Sequence, residues 1–183
     1  MYGQHAMQIE GVLDVELNTI TIKHRIDYHN TSDDTLKELY FNDWTSSFSS
    51  PTTPLSNRFV EEFNKDLLSD KLEDRGFTKI TSIKNSFGKN INYYYLENHP
   101  DIFKVTLENE LLPNTTTTLY FEYTLQIQND RFTGYGVTKD GSYNLRYWYI
   151  SPAVYEYSQW KLYSNQNIQD YYTPHSNIEL IMS

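Results

Sequence analysis

Five histidines are the chain's first candidates for metal or acid–base chemistry: His5, His24, His29, His99 and His175. No two of them have the i, i+4 spacing of a helical metal-binding pair, and the H-E-x-x-H pattern of zinc peptidases does not occur in this sequence. His24 falls on the apolar face of a predicted strand, where a packed histidine is more common than a ligand. The sequence therefore predicts no metal site among these histidines.

Nucleophiles and paired acids give no stronger signal. The chain has no cysteine, which excludes disulfides, thiolate metal sites and thiol nucleophiles. The G-x-S-x-G pattern of serine hydrolases is also missing. The adjacent acids Asp33–Asp34 and Glu61–Glu62 fall on a predicted turn and on the outer face of a predicted helix, where acids are usually solvated. We therefore predict no complete active site in this chain.

The densest signal is the aromatic run at 143–163, "YNLRYWYISPAVYEYSQWKLY", with six tyrosines and two tryptophans. Such a run suits a sugar-stacking platform, a nucleic-acid platform or the interior of a β-sandwich. Large side chains occupy both faces of a predicted strand, with Leu145, Tyr147 and Tyr149 on one face and Arg146, Trp148 and Ile150 on the other. A strand apolar on both faces is covered on both faces. Burial is therefore favoured over a glycan platform.

Charge and composition narrow the function classes. The formal net charge is −9, from 15 Lys and Arg against 24 Asp and Glu. The largest basic cluster, Lys23–Arg25, lies inside a strand pattern, so the basic footprint of a nucleic-acid binder is missing and we expect no nucleic-acid partner. No apolar run reaches the length of a transmembrane helix. The 17 tyrosines and 9 phenylalanines indicate a globular chain.

Hydrophobic periodicity predicts a mainly β fold. Apolar residues alternate over 9–17 and 20–28, on either side of a turn at Asn18–Thr19, as in a hairpin of half-buried strands. Further strands are predicted at 36–43, 78–86, 91–97, 102–109, 119–127 and 176–183. Many short strands with turns between them indicate an antiparallel β-sandwich or strongly curved sheets. We predict one domain over 1–183.

One segment, about 53–75, has helical periodicity and interrupts the strands. Its apolar stripe consists of Leu55, Phe59, Val60, Phe63 and Leu67. Thr53 is the predicted N-cap with Pro54 at the first helical position, and Gly76 is the predicted stop. The sequence thus predicts a helical insertion in a β domain.

Four stretches occur in a recognisable order. "DVELNTITIKHRIDYHNTSDDTLKELYFNDW" (14–44) contains Y-x-N-x-S followed by L-x-x-L-Y-F, and "TPLSNRFVEEFNKDL" (53–67) follows it. "LLPNTTTTLYFEYTLQI" (111–127) and "RYWYISPAVYEYSQWKLY" (146–163) come later. Their order and spacing resemble the N-terminal domain of aminopeptidase N-like (gluzincin) zinc metallopeptidases of the bacterial branch. The resemblance covers essentially the whole chain.

The resemblance implies a saddle-shaped β domain that docks on a thermolysin-like catalytic domain. In the family, the zinc ligands and the site for the substrate's free amine belong to that downstream domain. Zinc is therefore the cofactor expected in the missing domain, and none is expected in this chain, which is expected to be non-catalytic alone. The implied partners are the downstream catalytic domain of the same polypeptide and a peptide substrate of the parent.

The resemblance also implies candidate site residues. Family members carry a Gln before the W-Y-P segment, where it lines the substrate's first pocket, and Tyr147 stands at the matching position here. Tyr147, Trp148 and Tyr149 are therefore the candidates for a border of the substrate pocket. The departure from Gln puts the family's own contact in question.

Two other readings and a location complete the expectations. A free-standing β-sandwich carbohydrate-binding or protein-interaction module would use Trp148 or Trp160 on its surface. A relative whose catalytic domain has lost its metal would look the same within these residues. Family habit, and the opening "MYGQHAMQ" taken as the stub of a trimmed signal, predict export to the periplasm or the extracellular face.

Overall fold

The computed structural model describes residues 4–168 and 172–183. About 49% of the chain is strand and about 13% is helix, which confirms the predicted mainly β fold. The first three residues of the opening stretch, on which the export prediction partly rests, lie outside the described residues.

The described strands follow one another along the chain with two helices between the third and fourth. They are β1 (His5–Asp14), β2 (Thr19–His29), β3 (Leu36–Asn42), β4 (Phe77–Asn85), β5 (Tyr93–Leu96), β6 (His99–Leu111), β7 (Thr116–Gln126), β8 (Gly136–Val137), β9 (Tyr143–Asn144), β10 (Ser151–Pro152), β11 (Val154–Glu156), β12 (Gln159–Lys161) and β13 (Ser176–Met182). The helices are α1 (Pro54–Glu61) and α2 (Asp66–Ser69).

The strands form two larger sheets and two small ones. The five-stranded sheet has the order β13-β1-β2-β7-β4, and the four-stranded sheet has the order β10-β3-β6-β5. The pairs β8–β9 and β11–β12 are separate. β13 and β1 run parallel, whereas the other strand pairs in the larger sheets are antiparallel.

The two larger sheets share one hydrophobic core. Its buried side chains come from both sheets and include Met7, Ile9, Ile20, Ile22, Ile26, Tyr28, Leu39, Phe41, Ile83, Phe103, Val105, Leu119, Phe121, Tyr123 and Leu125. The Phe41 ring lies 5.2 Å from the Phe121 ring of the other sheet. Because each such side chain contributes roughly 1.5–3 kcal/mol on burial, this core is the scaffold on which the loops are held.

The predicted hairpin, β7 and the final strand are present. Alternate residues of β1 and β2 are buried, as period-2 patterning requires. Val15 and Leu17 were predicted to continue the buried row, but they are 65% and 64% exposed. β1 ends at Asp14 and the chain turns through Asn18, whose φ is +52°, so these two side chains no longer face the core.

The helical insertion begins as predicted, but it consists of two short helices, α1 and α2, and a 3-10 turn at Leu72–Asp74. Thr53 is the N-cap, and its Oγ1 accepts a hydrogen bond from the Ser56 amide at 3.1 Å. The prediction of a buried apolar stripe is wrong at Val60 and Phe63, whose side chains are 40% and 95% exposed. Because α1 ends at Glu61 and Phe63 takes a left-handed φ of +62°, the helical periodicity is lost before Phe63. The remaining stripe residues join a second apolar cluster of Phe48, Leu55, Phe59, Leu67 and Phe132.

The aromatic run is not the continuous strand predicted over 145–150. Residues 145–150 are irregular and connect β9 to β10. Tyr147 has a φ of +51°, which no strand residue adopts, and this residue breaks the alternation of faces. Ser151–Pro152 then pairs with Phe41 and Asn42 at the edge of the four-stranded sheet, a position that tolerates proline.

Candidate functional site

The three candidate pocket residues do not lie together. Tyr147 faces a surface recess, whereas Trp148 and Tyr149 pack against the core. The Tyr147 ring lies edge-on to the indole of Trp44, with 4.8 Å between centroids. Trp148 and Tyr149 pack edge-on to each other at 5.5 Å, and Tyr149 also contacts His24 in the core at 6.3 Å. Of the three, Tyr147 lines a recess in the surface and the other two do not.

The recess beside Tyr147 combines aromatic and polar walls. Its cavity volume is about 40 Å³, and most of the space between its walls is open to solvent. Its main lining residues are Trp44, Phe48, Gln128, Tyr135, Arg146 and Tyr147. Apolar walls with a few placed polar groups are typical of ligand sites. We call this feature the aromatic recess.

Arg146 fixes two tyrosines of the aromatic recess. Its guanidinium carbon lies 5.2 Å from the ring centre of Tyr135 and 4.6 Å from that of Tyr147. One terminal nitrogen of Arg146 also donates to the Tyr135 hydroxyl at 3.0 Å, and the other donates to the Tyr147 hydroxyl at 3.1 Å. Each cation–π contact contributes about 0.5–1 kcal/mol at such a half-exposed position. Arg146 therefore holds both rings in place and supplies positive charge at the recess.

Gln128 supplies a carboxamide to the aromatic recess, and sequence reasoning missed it. The side chain is 7% exposed, and its Nε2 donates to the backbone oxygen of Tyr135 at 3.2 Å. Two glycines allow this packing, because a Cβ on Gly76 would come within 2.7 Å of Oε1, and one on Gly136 within 2.1 Å of the Gln128 carbonyl oxygen. Gln128 directly follows the strand predicted at 119–127 and precedes a segment that contains Gly134 and Gly136, which is the one signal the sequence offers.

A buried carboxylate holds the turn that carries Trp44. Asp43 is 2% exposed and accepts hydrogen bonds from the Thr78 hydroxyl at 2.5 Å and from the hydroxyls of Ser46 and Tyr95 at 2.7 Å. Burial raises the pKa of Asp43, and these hydrogen bonds to its charged form offset part of that effect. Thr78 and Tyr95 thereby tie the turn after β3 to β4 and β5, whereas Ser46 lies in the turn itself.

Asp101 holds another part of the recess wall. Its carboxylate accepts from the Ser164 hydroxyl at 2.7 Å and from the Asn165 amide at 2.6 Å. The Asn165 side chain then donates to Ser47 Oγ at 2.9 Å, and Asn165 lines the aromatic recess. Burial raises the pKa of Asp101, and the nearby Asp43 carboxylate raises it further.

Ser164, His99 and Asp101 have the residue types of a hydrolase triad, but their hydrogen bonds run in a different order, with the serine between the histidine and the aspartate. The Ser164 hydroxyl donates its one hydrogen to Asp101, so it accepts from Nδ1–H of His99 at 2.7 Å. A nucleophilic serine instead donates to the imidazole, which takes its proton. These three residues therefore position the chain around 164–165.

The buried histidines are packing residues, as predicted for His24. His24 Nδ1 lies 3.3 Å from the Tyr123 hydroxyl, and burial lowers its pKa to about 3. His5 stacks on Tyr28 at 4.3 Å, and burial lowers its pKa to about 4, with a smaller effect from His29. Within the described residues, no three His, Cys, Asp or Glu side chains are grouped as metal ligands. Nor does any described helix have the length and apolar character needed to cross a membrane.

Comparisons with known proteins find a weak likeness to solved structures and no match in sequence. No protein-family model matches the chain, and no curated protein matches it. Solved structures that resemble it include the M1 zinc metallopeptidase of Deinococcus radiodurans, at 10% identity and a TM-score of 0.40, over 69% of this chain and 20% of that one. A mutant of that peptidase bound to the substrate Tyr-Ser-Ala gives 9% identity and 0.41.

A carbohydrate-binding module of family 3a from the Clostridium thermocellum scaffolding protein also resembles the chain. Its identity is 10% and its TM-score 0.27, over 86% of this chain and 89% of that one. By contrast, the chain spans about a fifth of the length of the M1 peptidase chains. TM-scores of this size do not establish a common fold for either pair.

Proposed function

We propose that this chain is the non-catalytic N-terminal domain of a longer, exported zinc aminopeptidase-like protein, and that its aromatic recess borders the substrate pocket. The ordered motifs at 14–44, 53–67, 111–127 and 146–163 support the family assignment. The observation that carries the site is that Tyr147, the residue matched to the family's pocket position, lines the aromatic recess.

In this proposal the domain binds and orients, and the downstream domain supplies the zinc chemistry. The described residues offer no zinc ligand set, so no proton transfer or metal step is assigned to them. The rings of Trp44 and Tyr147 offer apolar surface to a side chain of the peptide, and the Gln128 amide offers hydrogen bonds. Such contacts discriminate between substrates by size and shape.

The test uses the polypeptide extended past Ser183 to include the next domain. We expect zinc-dependent release of the first residue from aminoacyl reporters. Tyr147→Ala should raise KM for an aromatic first residue by about tenfold while kcat changes less, because a binding contact is lost. Tyr94→Ala, which alters a tyrosine that is 57% exposed on β5, is the matched control and should leave KM unchanged.

Three results would count against parts of this proposal. Absence of zinc-dependent hydrolysis in the extended protein would remove the peptidase assignment. Hydrolysis with the same KM in wild type and Tyr147→Ala would remove the pocket role and leave the domain assignment in place. Sustained zinc-dependent cleavage by residues 1–183 alone would contradict the non-catalytic role.

A second candidate, a carbohydrate-binding module, is supported by a different set of rings. Trp148 and Trp160 pack on the core, so they do not form an exposed stacking platform. Instead, Tyr157, Tyr163 and Tyr172 are 88%, 63% and 49% exposed, and exposed rings stack on sugar faces. A defined glycan that binds wild type and loses binding in Tyr157→Ala, with folding intact, would favour this candidate.

A further inference from the structure

A second hollow lies beside the loop between β3 and α1 and shares no lining residue with the aromatic recess. Its cavity volume is about 570 Å³, which falls within the range of about 300–1,000 Å³ for ligand pockets. The described residues that line it include seven serine, threonine and tyrosine hydroxyls and no charged side chain. We call this feature the hydroxyl groove.

Three of these hydroxyl groups are held by the carboxylate of Asp43, which is buried behind the groove wall. Ser46, Thr78 and Tyr95 each donate their only hydrogen to it. Their oxygens can then only accept further hydrogen bonds, and the Ser46 oxygen already accepts one from the Thr78 amide at 3.1 Å. A bond to a carboxylate also polarises a hydroxyl and makes its oxygen a stronger acceptor. Asp43 therefore fixes Thr78 and Tyr95 as acceptors at the groove.

Other polar groups of the hydroxyl groove can donate. Within residues 4–168 and 172–183, the side chains of Ser49 and Asn98 make no hydrogen bond. The hydroxyls of Ser50 and Thr52 share one hydrogen bond at 3.1 Å, which leaves one of their two hydrogens for a ligand. The groove thus offers acceptors and donors without any charge. A ligand hydroxyl matches this set, because it both donates and accepts.

Two aromatic rings add flat apolar surface to the hydroxyl groove. Tyr95 is 36% exposed, and its ring packs on Phe103 with 5.4 Å between centroids. Phe77, the half-buried first residue of β4, also lines the groove. A pyranose has C–H groups on its faces and hydroxyl groups around its edge, so it fits a ring bordered by hydroxyl and carboxamide groups.

The groove is also longer than one sugar ring needs. It shares Thr52 and Asn98 with a neighbouring hollow of about 440 Å³, which adds the carboxamides of Asn57 and Gln166. The one arginine and the one glutamate that line this hollow pair with each other at 3.3 Å. A neutral ligand of several units can therefore extend past Asn98.

We propose that the hydroxyl groove binds a neutral oligosaccharide, with one pyranose ring over Tyr95 and its hydroxyl groups bonded to Thr78 and Asn98. The exposed tyrosines of the second candidate function, such as Tyr157, do not line this groove. The site also shares no residue with the aromatic recess, so it stands whether or not the peptidase proposal holds.

The first test is a titration of ¹⁵N-labelled residues 1–183 with neutral trisaccharides, followed by NMR. The panel is maltotriose, cellotriose, mannotriose, laminaritriose and tri-N-acetylchitotriose. At least one should bind with a Kd of about 1 mM and shift the amides of Ser49, Ser50 and Asn98. Because neither ligand nor groove is charged, the Kd should change less than about twofold between about 0.05 M and 0.5 M salt.

Asn98→Gly tests the carboxamide. Asn98 has a φ of +63°, so glycine keeps the backbone and removes only the side chain. The Kd should rise about fivefold, because hydrogen bonds to the ligand are lost. Asn114→Gly is the matched control, because Asn114 is also an exposed asparagine with a left-handed φ of +55° and lies outside the groove. This control should bind like wild type.

Tyr95→Leu tests the ring and should raise the Kd by at least about tenfold. Tyr94→Leu is its control, because the neighbouring Tyr94 is 57% exposed and does not line the groove. Circular dichroism verifies that the variants fold, and Asn98→Gly decides the outcome if Tyr95→Leu does not.

Three results would overturn the proposal. The first is no binding by any member of the panel up to about 20 mM. The second is binding that is lost in Tyr157→Ala and unchanged in Asn98→Gly, which would move the sugar to the exposed tyrosines. The third is a Kd that changes about tenfold with salt, which would indicate a charged ligand. None of these results bears on the peptidase proposal.

Discussion

The two parts of the aromatic run, 143–152 and 153–163, each contain three tyrosines and one tryptophan, but they pack differently. In the hairpin β11–β12, the Trp160 ring lies 4.9 Å from Tyr155, 5.1 Å from Tyr40 and 6.3 Å from Tyr28. In the irregular segment before it, Tyr147 leaves the core and lines the aromatic recess. Residue type alone does not decide between core and site. Trp160 lies in a paired strand that packs on the core, whereas Tyr147 lies outside any strand and has a left-handed φ of +51°.

The largest effect is expected at Trp160. Trp160→Ala removes a half-buried ring with three aromatic neighbours and should lower the free energy of unfolding by about 3 kcal/mol. Urea denaturation followed by circular dichroism measures this change. Tyr163→Ala, at a tyrosine that is 63% exposed in the same run, should stay within about 0.5 kcal/mol of wild type. Equal losses in the two variants would contradict the packing described for Trp160.

A smaller effect is expected on acidification, because His24, against which Tyr149 of the first part packs, is buried in the core. The folded protein holds the pKa of His24 at about 3, against 6.5 for the ordinary group. Below about pH 6.5 the unfolded chain binds a proton at His24 and the folded protein does not, so stability is lost as the pH falls from 6.5 towards 3. The expected loss between about pH 7 and pH 5 is about 2 kcal/mol.

The matched comparison isolates His24 from other groups. His5 acts in the same direction as His24, whereas the raised pKa values of Asp43 and Asp101 act in the opposite direction. All three are common to wild type and His24→Leu, so they cancel when the two pH curves are subtracted. The stability difference between the two proteins should shift by about 2 kcal/mol in favour of the variant at the lower pH. A constant difference would show that His24 is not held neutral.

The smallest effect concerns the backbone at Tyr147. Both Tyr147→Gly and Tyr147→Ala remove the ring, but only glycine adopts a φ of +51° without strain. The glycine variant should therefore be more stable than the alanine variant by about 1 kcal/mol. Thermal unfolding of the pair measures this difference. A more stable alanine variant would mean that residue 147 is not left-handed and that the first part of the run is strand-like.

The sequence predicts those features that depend on neighbouring residues. The alternation of apolar residues predicted β1, β2 and β7, and Thr53 with Pro54 predicted the start of α1. The left-handed Tyr147 was missed because no glycine, asparagine or proline occupies that position. The polar supports of the aromatic recess were missed for another reason. Asp43 meets Thr78 and Tyr95, and Asp101 meets Ser164, over separations that no local pattern reports.

The proposed function rests on one expectation, that this chain belongs to a longer zinc aminopeptidase-like polypeptide. The most direct test is to sequence the parent gene past the codon for Ser183. The account predicts an H-E-x-x-H motif with a later glutamate, preceded by a G-x-M-E-N-like segment that holds the amine of the substrate. A stop codon at that point, or a following domain without these ligands, would contradict the peptidase assignment and favour a binding module.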